Sequence, residues 1–175
     1  TMNTFLGSSS LLSENDISKE SIKDSDYLLI EGYLVTSDTT LNVGIAAINI
    51  AHENNTKTVI TLSDPNIVSY FRDNMMRLFS KKSHIIFCNE QEALNFSQAD
   101  NLKDAEVFLK KITDMYIITL GSKGAICFDG TSDHKITGHQ VESKDFTGAG
   151  DMFLGAFMHK YADTNILESM KFANY

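Results

Sequence analysis

Short, apolar, β-rich runs alternate with amphipathic stretches along this chain, and that alternation constrains the fold more than any other feature. Tyr27–Glu31 reads as a strand, followed by a helical segment from about Thr39 to Glu53. Thr58–Leu62 is the next strand, closed by a Ser63-Asp64-Pro65-Asn66 turn. After it, Ile67, Tyr70, Phe71, Met75, Leu78 and Phe79 keep a helical period. His84–Cys88 predicts a third strand, Glu90–Phe96 a short helix, Leu102–Lys111 another helix and Tyr116–Leu120 a fourth strand. Ala125–Phe128 and His134–Thr137 predict a hairpin turning at Asp129-Gly130, a dipeptide that tolerates the positive φ of tight hairpin turns. Helices are predicted over Ala149–Tyr161 and from Asn165 to the end. Strands that are apolar throughout suit a sheet covered on both faces, and strand–helix–strand order makes neighbouring strands parallel. The expected fold class is therefore α/β, a mostly parallel sheet flanked by helices.

Ligands of such sheets gather at the carboxyl ends of the strands. Here the segments following those ends are Ser63–Asn66, Asn89–Glu92 and Gly121–Gly124, all polar or glycine-rich. The formal charge of −8, with Lys81-Lys82 as the longest basic run, argues against a nucleic-acid partner, which needs clustered cations. Apolar runs such as Tyr27–Ile30 fall far short of the ~20 residues of a membrane span, so no membrane partner is expected. Thr1-Met2-Asn3-Thr4 shows no basic segment leading into an apolar one, as a signal peptide would. Cys88 and Cys127 each end an apolar run and read as buried free thiols, which fits a reducing cytoplasm. A cytoplasmic location is the expectation.

The strongest chemical signal is Thr147-Gly148-Ala149-Gly150-Asp151, running into the apolar helix Met152, Phe153, Leu154, Ala156, Phe157 and Met158. Small residues at a helix start leave backbone N–H groups without intrahelical partners, and the helix dipole makes that end attractive to anions. Gly148 and Gly150 admit a phosphate close to the backbone, and Asp151 is placed to take a proton from an attacking hydroxyl. The plainer reading makes Thr147 an N-cap and Asp151 a dipole-compensating acid. Asn89 and Glu92 likewise read as a helix N-cap and its capping-box partner, or as an amide and a carboxylate facing one ligand. Thr119 and Gly121 through Gly124 form a tight turn between two strands. His134 and His139 make a poor metal pair, and neither a Walker-type loop nor a nucleophile elbow is present.

Asp145-Phe146-Thr147-Gly148-Ala149-Gly150-Asp151, continued by Gly155-Ala156-Phe157-Met158, resembles the C-terminal signature of the ribokinase or PfkB kinase family. The resemblance implies a ribokinase-like fold and transfer of the ATP γ-phosphoryl group to a primary hydroxyl, of a nucleoside first and a free or phosphorylated sugar second. It implies that Asp151 is the catalytic base and that Gly148, Ala149 and Gly150 form the anion hole. Asn89 and Glu92 match the family's Asn-x-x-Glu element, which holds Mg²⁺ and phosphate through water. Thr119, Gly121 and Gly124 match a strand end that passes the nucleotide, and Asp64-Pro65-Asn66 is similar to a turn of the family. Asp145 matches the aspartate beside a monovalent cation, K⁺, although Phe146 replaces the family's usual Thr or Ser.

The resemblance covers the C-terminal part of a kinase domain, so an incomplete domain is expected. Residues 1–9 are similar to a strand returning from the substrate lid, which puts Asn3 and Thr4 toward the small-molecule substrate; residues 10–175 form the C-terminal part of the α/β domain. This end looks most like the adenosine-kinase-like branch. Apolar surface is expected near Tyr27–Ile30 or on the final helix, and a homodimer is one way to cover it. The rival reading is a nucleotide-binding or interaction fragment that keeps the kinase fold without turnover.

Overall fold

The computed structural model describes residues 7–139, 141–142 and 145–174, which fall into two compact units, Thr1–His84 and Ile85–Tyr175. Their six strands belong to one mostly parallel sheet with helices flanking it.

The first unit holds α1 (Lys19–Lys23), β1 (Tyr27–Glu31), α2 (Asp38–Glu53), β2 (Lys57–Thr61), α3 (Pro65–Tyr70) and α4 (Arg72–Leu78). β1 and β2 run parallel, with Tyr27 opposite Lys57 and Glu31 opposite Thr61. Val59 and Ile60 of β2 are buried, as are Leu41, Ile48 and Ala51 of α2, the amphipathic crossover that parallel pairing requires. Gly32, just past β1, allows the tightest approach in this unit: a Cβ there would stand 2.7 Å from the Leu62 carbonyl oxygen. Its N–H donates to Ser63 Oγ at 2.8 Å, and Ser63 takes a left-handed φ of 69°, unusual for a residue with a side chain.

The helical period after Asn66 is present but divided. Pro65 fits the first turn of α3, and the Asp64 carboxylate accepts from the N–H groups of Asn66 and Ile67. Phe71, at φ −120° and ψ 30°, then ends α3 and starts α4. The short helix α1 lacks an apolar period long enough to signal it, with Ile22 its one buried residue. Of the strand expected over 1–9, residues 1–6 lie outside the described residues, and Gly7–Leu11 is a 3-10 turn.

The second unit contains α5 (Glu90–Ser97), α6 (Leu102–Ile112), β4 (Thr113–Thr119), β5 (Ala125–Phe128), β6 (Asp133–Ile136), α7 (Ala149–Tyr161) and α8 (Ile166–Ala173), with β3 (Ser83–Asn89) leading into it. β4, β5 and β6 form an antiparallel meander, Tyr116 opposite Phe128 and Phe128 opposite Asp133. The hairpin turns where predicted: Gly130 has φ 95°, and Asp129 accepts from the N–H groups of Thr131 and Ser132. Asp129 also meets His134 Nε2 at 2.7 Å, and that bond above all holds its carboxyl below the usual range. α7 is anchored by buried Phe157, edge-on to Phe87 at 5.3 Å and stacked on Tyr161 at 5.2 Å.

Cys88 and Cys127 are buried free thiols, as expected. Burial pushes the Cys127 thiol up to about 12. Leu29 on β1 and Phe172 on α8 are 46% and 47% exposed, the two places where uncovered apolar surface was expected. Among the described residues no helix is long and apolar enough to cross a membrane.

Candidate functional site

The start of α7 is shaped by glycine. Gly148 is the residue preceding the helix, at φ 77°, and among the described residues no side chain caps the end. That conformation costs little only for glycine, and it leaves the first N–H groups of the helix without intrahelical partners, the Ala149 N–H donating instead to the Phe146 carbonyl oxygen at 3.1 Å. A Cβ added to Gly148 or Gly150 would meet nothing within 4 Å, so the space over this end is open. Residues 145–152 are all exposed, Asp151 in the first turn among them. Phe153 and Phe157, buried beneath, fix the axis of the helix. Asp145 Oδ1 accepts from the Thr147 N–H at 2.9 Å, and this bond holds the Asp145 carboxyl below the ordinary range, so a negative charge persists beside the helix start.

The start of α5 is built differently. Asn89 Oδ1 accepts from the Glu92 N–H at 2.8 Å, while Glu92 accepts from the Asn89 N–H at 3.0 Å and from Asn89 Nδ2 at 2.7 Å. The capping box anticipated from the sequence is thus complete, and Glu92 is 5% exposed. Burial, then the Glu92 charge, raises the neighbouring Cys88 thiol well above its usual range.

The turn after β4 approaches this corner. Thr119 Oγ1 lies 3.5 Å from the Cys88 carbonyl oxygen, and Lys123 Nζ lies 3.8 Å from Glu90. Gly121 and Gly124 both have positive φ, at 58° and 98°. A Cβ on Gly124 would strike the Ile136 carbonyl oxygen, and one on Gly138 would strike Ser122. The turn therefore lies flat on residues 136–138. Thr119 and Lys123 thus reach Cys88 at the end of β3 and Glu90 at the start of α5. Asn3 and Thr4 lie outside the described residues.

One feature escaped the sequence reading. A cavity of about 640 Å³ opens among β6, α7 and α8, with Ile136, Leu167 and Phe172 as apolar walls and Lys135, Lys160 and Lys171 among its polar lining. Asn174 Nδ2 donates to the Thr137 carbonyl oxygen at 2.9 Å and closes one side. These residues come from β6, the segment after it, α7 and α8 without forming a motif; only the fold assembles them. Among the described residues no group of three or more His, Cys, Asp or Glu side chains is placed to hold a metal by itself.

The sequence pattern described as "pfkB family carbohydrate kinase" matches residues 1–175. A ribokinase of Haemophilus influenzae is 33% identical over 174 residues, covering 95% of this chain and 51% of that protein. Among solved structures, the adenosine kinase from Sinorhizobium meliloti is similar with a TM-score of 0.87 at 27% identity, covering 93% of this chain and 51% of its own. A ribokinase II-type protein from E. coli, solved in complex with ATP and Mg²⁺, shares the fold with a TM-score of 0.85 at 22% identity, over 94% of this chain and 55% of that one. The chain spans about half the length of the relatives it matches.

Proposed function

Because the chain belongs to the pfkB family of carbohydrate kinases and has its ribokinase-like fold, we propose that the whole protein transfers the γ-phosphoryl group of ATP to a primary hydroxyl of a nucleoside or sugar. The observation that carries this reading is the uncapped, open start of α7, with an acid in its first turn. The Asp151 carboxylate accepts the proton of the attacking hydroxyl as that oxygen bonds to the γ-phosphorus. The bond to the β-phosphate oxygen breaks, and ADP leaves. The N–H groups at Gly148, Ala149 and Gly150 would offset negative charge on the transferring group, that of Ala149 after giving up its bond to the Phe146 carbonyl oxygen; such charge stabilisation is the main contribution proteins make to phosphoryl transfer.

Mg²⁺ would supply charge neutralisation on the phosphates. Asn89 and Glu92 would hold it through water, which suits an ion that keeps much of its hydration and needs few protein carboxylates. Asp145, ionised beside the loop, would hold a monovalent cation such as K⁺. Thr119, Gly121 and Gly124 would pass the nucleotide. We place the donor's base in the cavity among β6, α7 and α8, because the Gly121–Gly124 turn lies on residues 136–138, of which Ile136 and Thr137 line it. Asn3 and Thr4, in the 1–9 segment, would face the acceptor, with 10–175 as the C-terminal part of the kinase domain. A nucleoside acceptor is favoured over a free sugar by the adenosine-kinase-like pattern of Leu29-Ile30-Glu31-Gly32-Tyr33-Leu34. The half-length match to relatives favours a second reading for the 175 residues by themselves: nucleotide binding without turnover.

The test is Asp151→Asn in the full-length protein. Turnover should fall by ~10²–10⁴-fold, the usual contribution of a positioned base, with ATP affinity nearly unchanged. Retention of more than about a tenth of turnover would place the base elsewhere.

A further inference from the structure

The segments assigned above to the donor's phosphates are acidic. Asn89–Glu92 brings Glu90 and Glu92, and Asp145–Asp151 brings the two aspartates that bound it. Thr119–Gly124 holds the one lysine or arginine of the three segments, Lys123; Lys144 adjoins them and lies outside the described residues. A nucleoside triphosphate adds negative charge to this set, and like charges repel. Mg²⁺ offsets part of that repulsion. A protein cation beside the phosphates would offset more.

Lys123 ends the 3-10 turn Gly121–Lys123, and its Nζ lies 3.8 Å from Glu90 Oε2. Glu90 is the first residue of α5, directly after Asn89 and two before Glu92. The same turn rests on the exit of β6: a Cβ on Gly124 would strike the Ile136 carbonyl oxygen, and one on Gly138 that of Ser122. Ile136 and Thr137 line the cavity given to the base. One turn therefore reaches from the base cavity to the α5 start, with Lys123 at the α5 end. The Lys123 side chain is 73% exposed and that of Glu90 42%. An ion pair so open to water is weakly held, and an ammonium on a flexible four-carbon stem can turn to a stronger anion. We propose that Lys123 binds the donor's phosphate chain beyond the α-phosphate, and that Glu90 holds its ammonium until the nucleotide arrives. The proposal rests on the kinase reading and on the donor lying across this turn. It adds a phosphate-binding residue to that site.

Calorimetry with AMP, ADP and ATP, on the full-length protein in excess Mg²⁺, reads the effect of Lys123→Met. Kd for ADP and ATP should rise by about tenfold or more, the scale of a hydrogen bond to a charged group. Kd for AMP, which stops at the α-phosphate, should change by less than about threefold, as for a lost exposed pair. The unfolding midpoint should hold, because the pair with Glu90 is exposed. Glu90→Gln should act the other way, tightening ADP by about threefold as it releases the ammonium. In the Lys123→Met background that gain should vanish. Unchanged ADP affinity in Lys123→Met overturns the proposal. So does an equal loss of ADP and AMP, the mark of a turn displaced as a whole. A gain from Glu90→Gln that persists in the Lys123→Met background overturns the exchange, since Glu90 would then act on the phosphates by itself. If the wild-type protein binds none of the three nucleotides, the kinase reading falls and the proposal with it. If it binds them and Lys123→Met is silent, the reading stands and the role of Lys123 alone is lost.

Discussion

Two helix starts in the second unit carry acids three residues after their caps, Glu92 in α5 and Asp151 in α7, and they solve the same physical problem in opposite ways. At α5 a side chain meets the first N–H groups: Asn89 caps Glu92, Glu92 returns two bonds to Asn89, and the carboxylate is 5% exposed. At α7 the cap is a left-handed glycine, no side-chain cap is present among the described residues, and the acid stays in the open. A helix end that satisfies itself gains stability, on the order of 1 kcal/mol for a good cap. One left unsatisfied forgoes that gain and keeps its donors for an anion. The contrast says which start is structural first and which is available for chemistry, although both fit the family pattern in sequence.

The comparison can be broken most sharply at Gly150. Its φ is not left-handed, and a Cβ there would meet nothing within 4 Å, so Gly150→Ala should be tolerated and should stabilise α7 by about 0.5–1 kcal/mol. The same methyl group would occupy the space into which the phosphoryl oxygens must come. Turnover should fall by roughly 10²-fold, the scale on which loss of one preorganised donor is felt. A higher unfolding midpoint with lower activity is the signature of an open site. If activity and stability rise together, the glycine is a relic of the cap and the α7 start binds nothing.

A smaller effect separates the two roles of Glu92. Glu92→Gln keeps an oxygen for the Asn89 N–H but sets an amide donor against Asn89 Nδ2, losing one bond worth about 1 kcal/mol. Unfolding in urea should report that loss. The Mg²⁺ concentration for half-maximal activity should rise roughly tenfold, as for groups that act on a metal through intervening water. A stability loss with an unaltered Mg²⁺ requirement would make the α5 start a capping box and nothing more.

Much of this contrast was legible beforehand, and the reasons are local. The strands declared themselves as short apolar runs, and β1 begins and ends where its run Tyr27–Glu31 does. Asn89 and Glu92 announced a capping box because both partners lie within one helical turn. Thr147–Asp151 stood out because two glycines and an acid lead directly into an apolar helix, in the pattern of a known kinase signature. What stayed hidden was assembled from afar. The break at Phe71 falls at neither a glycine nor a proline, so no local breaker announced it. The cavity draws Lys135, Lys160 and Lys171 from three elements, and no spacing rule connects a strand residue to two helices beyond it. Ser63 takes its left-handed φ with its hydroxyl accepting from Gly32, 31 positions earlier.

The gentlest probe of the contrast lies just ahead of α7, where Asp145 does for the loop what Asn89 does for α5. Its Oδ1 accepts the Thr147 N–H at 2.9 Å, the largest of the causes that hold its carboxyl below the ordinary range. A carboxyl whose pKa is lower folded than unfolded favours the folded loop above the ordinary carboxylate range of about 4. That contribution is lost as pH falls through the depressed value, because the protonated acid is a weaker acceptor. The amide resonance of Thr147 should therefore titrate with a midpoint below about 3.9, the value of an unperturbed aspartate. In Asp145→Asn the amide oxygen can still accept, so the Thr147 resonance should keep its bonded position while its acid titration vanishes. Because Asp145 is exposed, global stability should hardly move. A wild-type midpoint at or above that of a free aspartate would mean the turn entering α7 is not held by this bond. The open helix start would then lack the fixed approach that its chemistry needs.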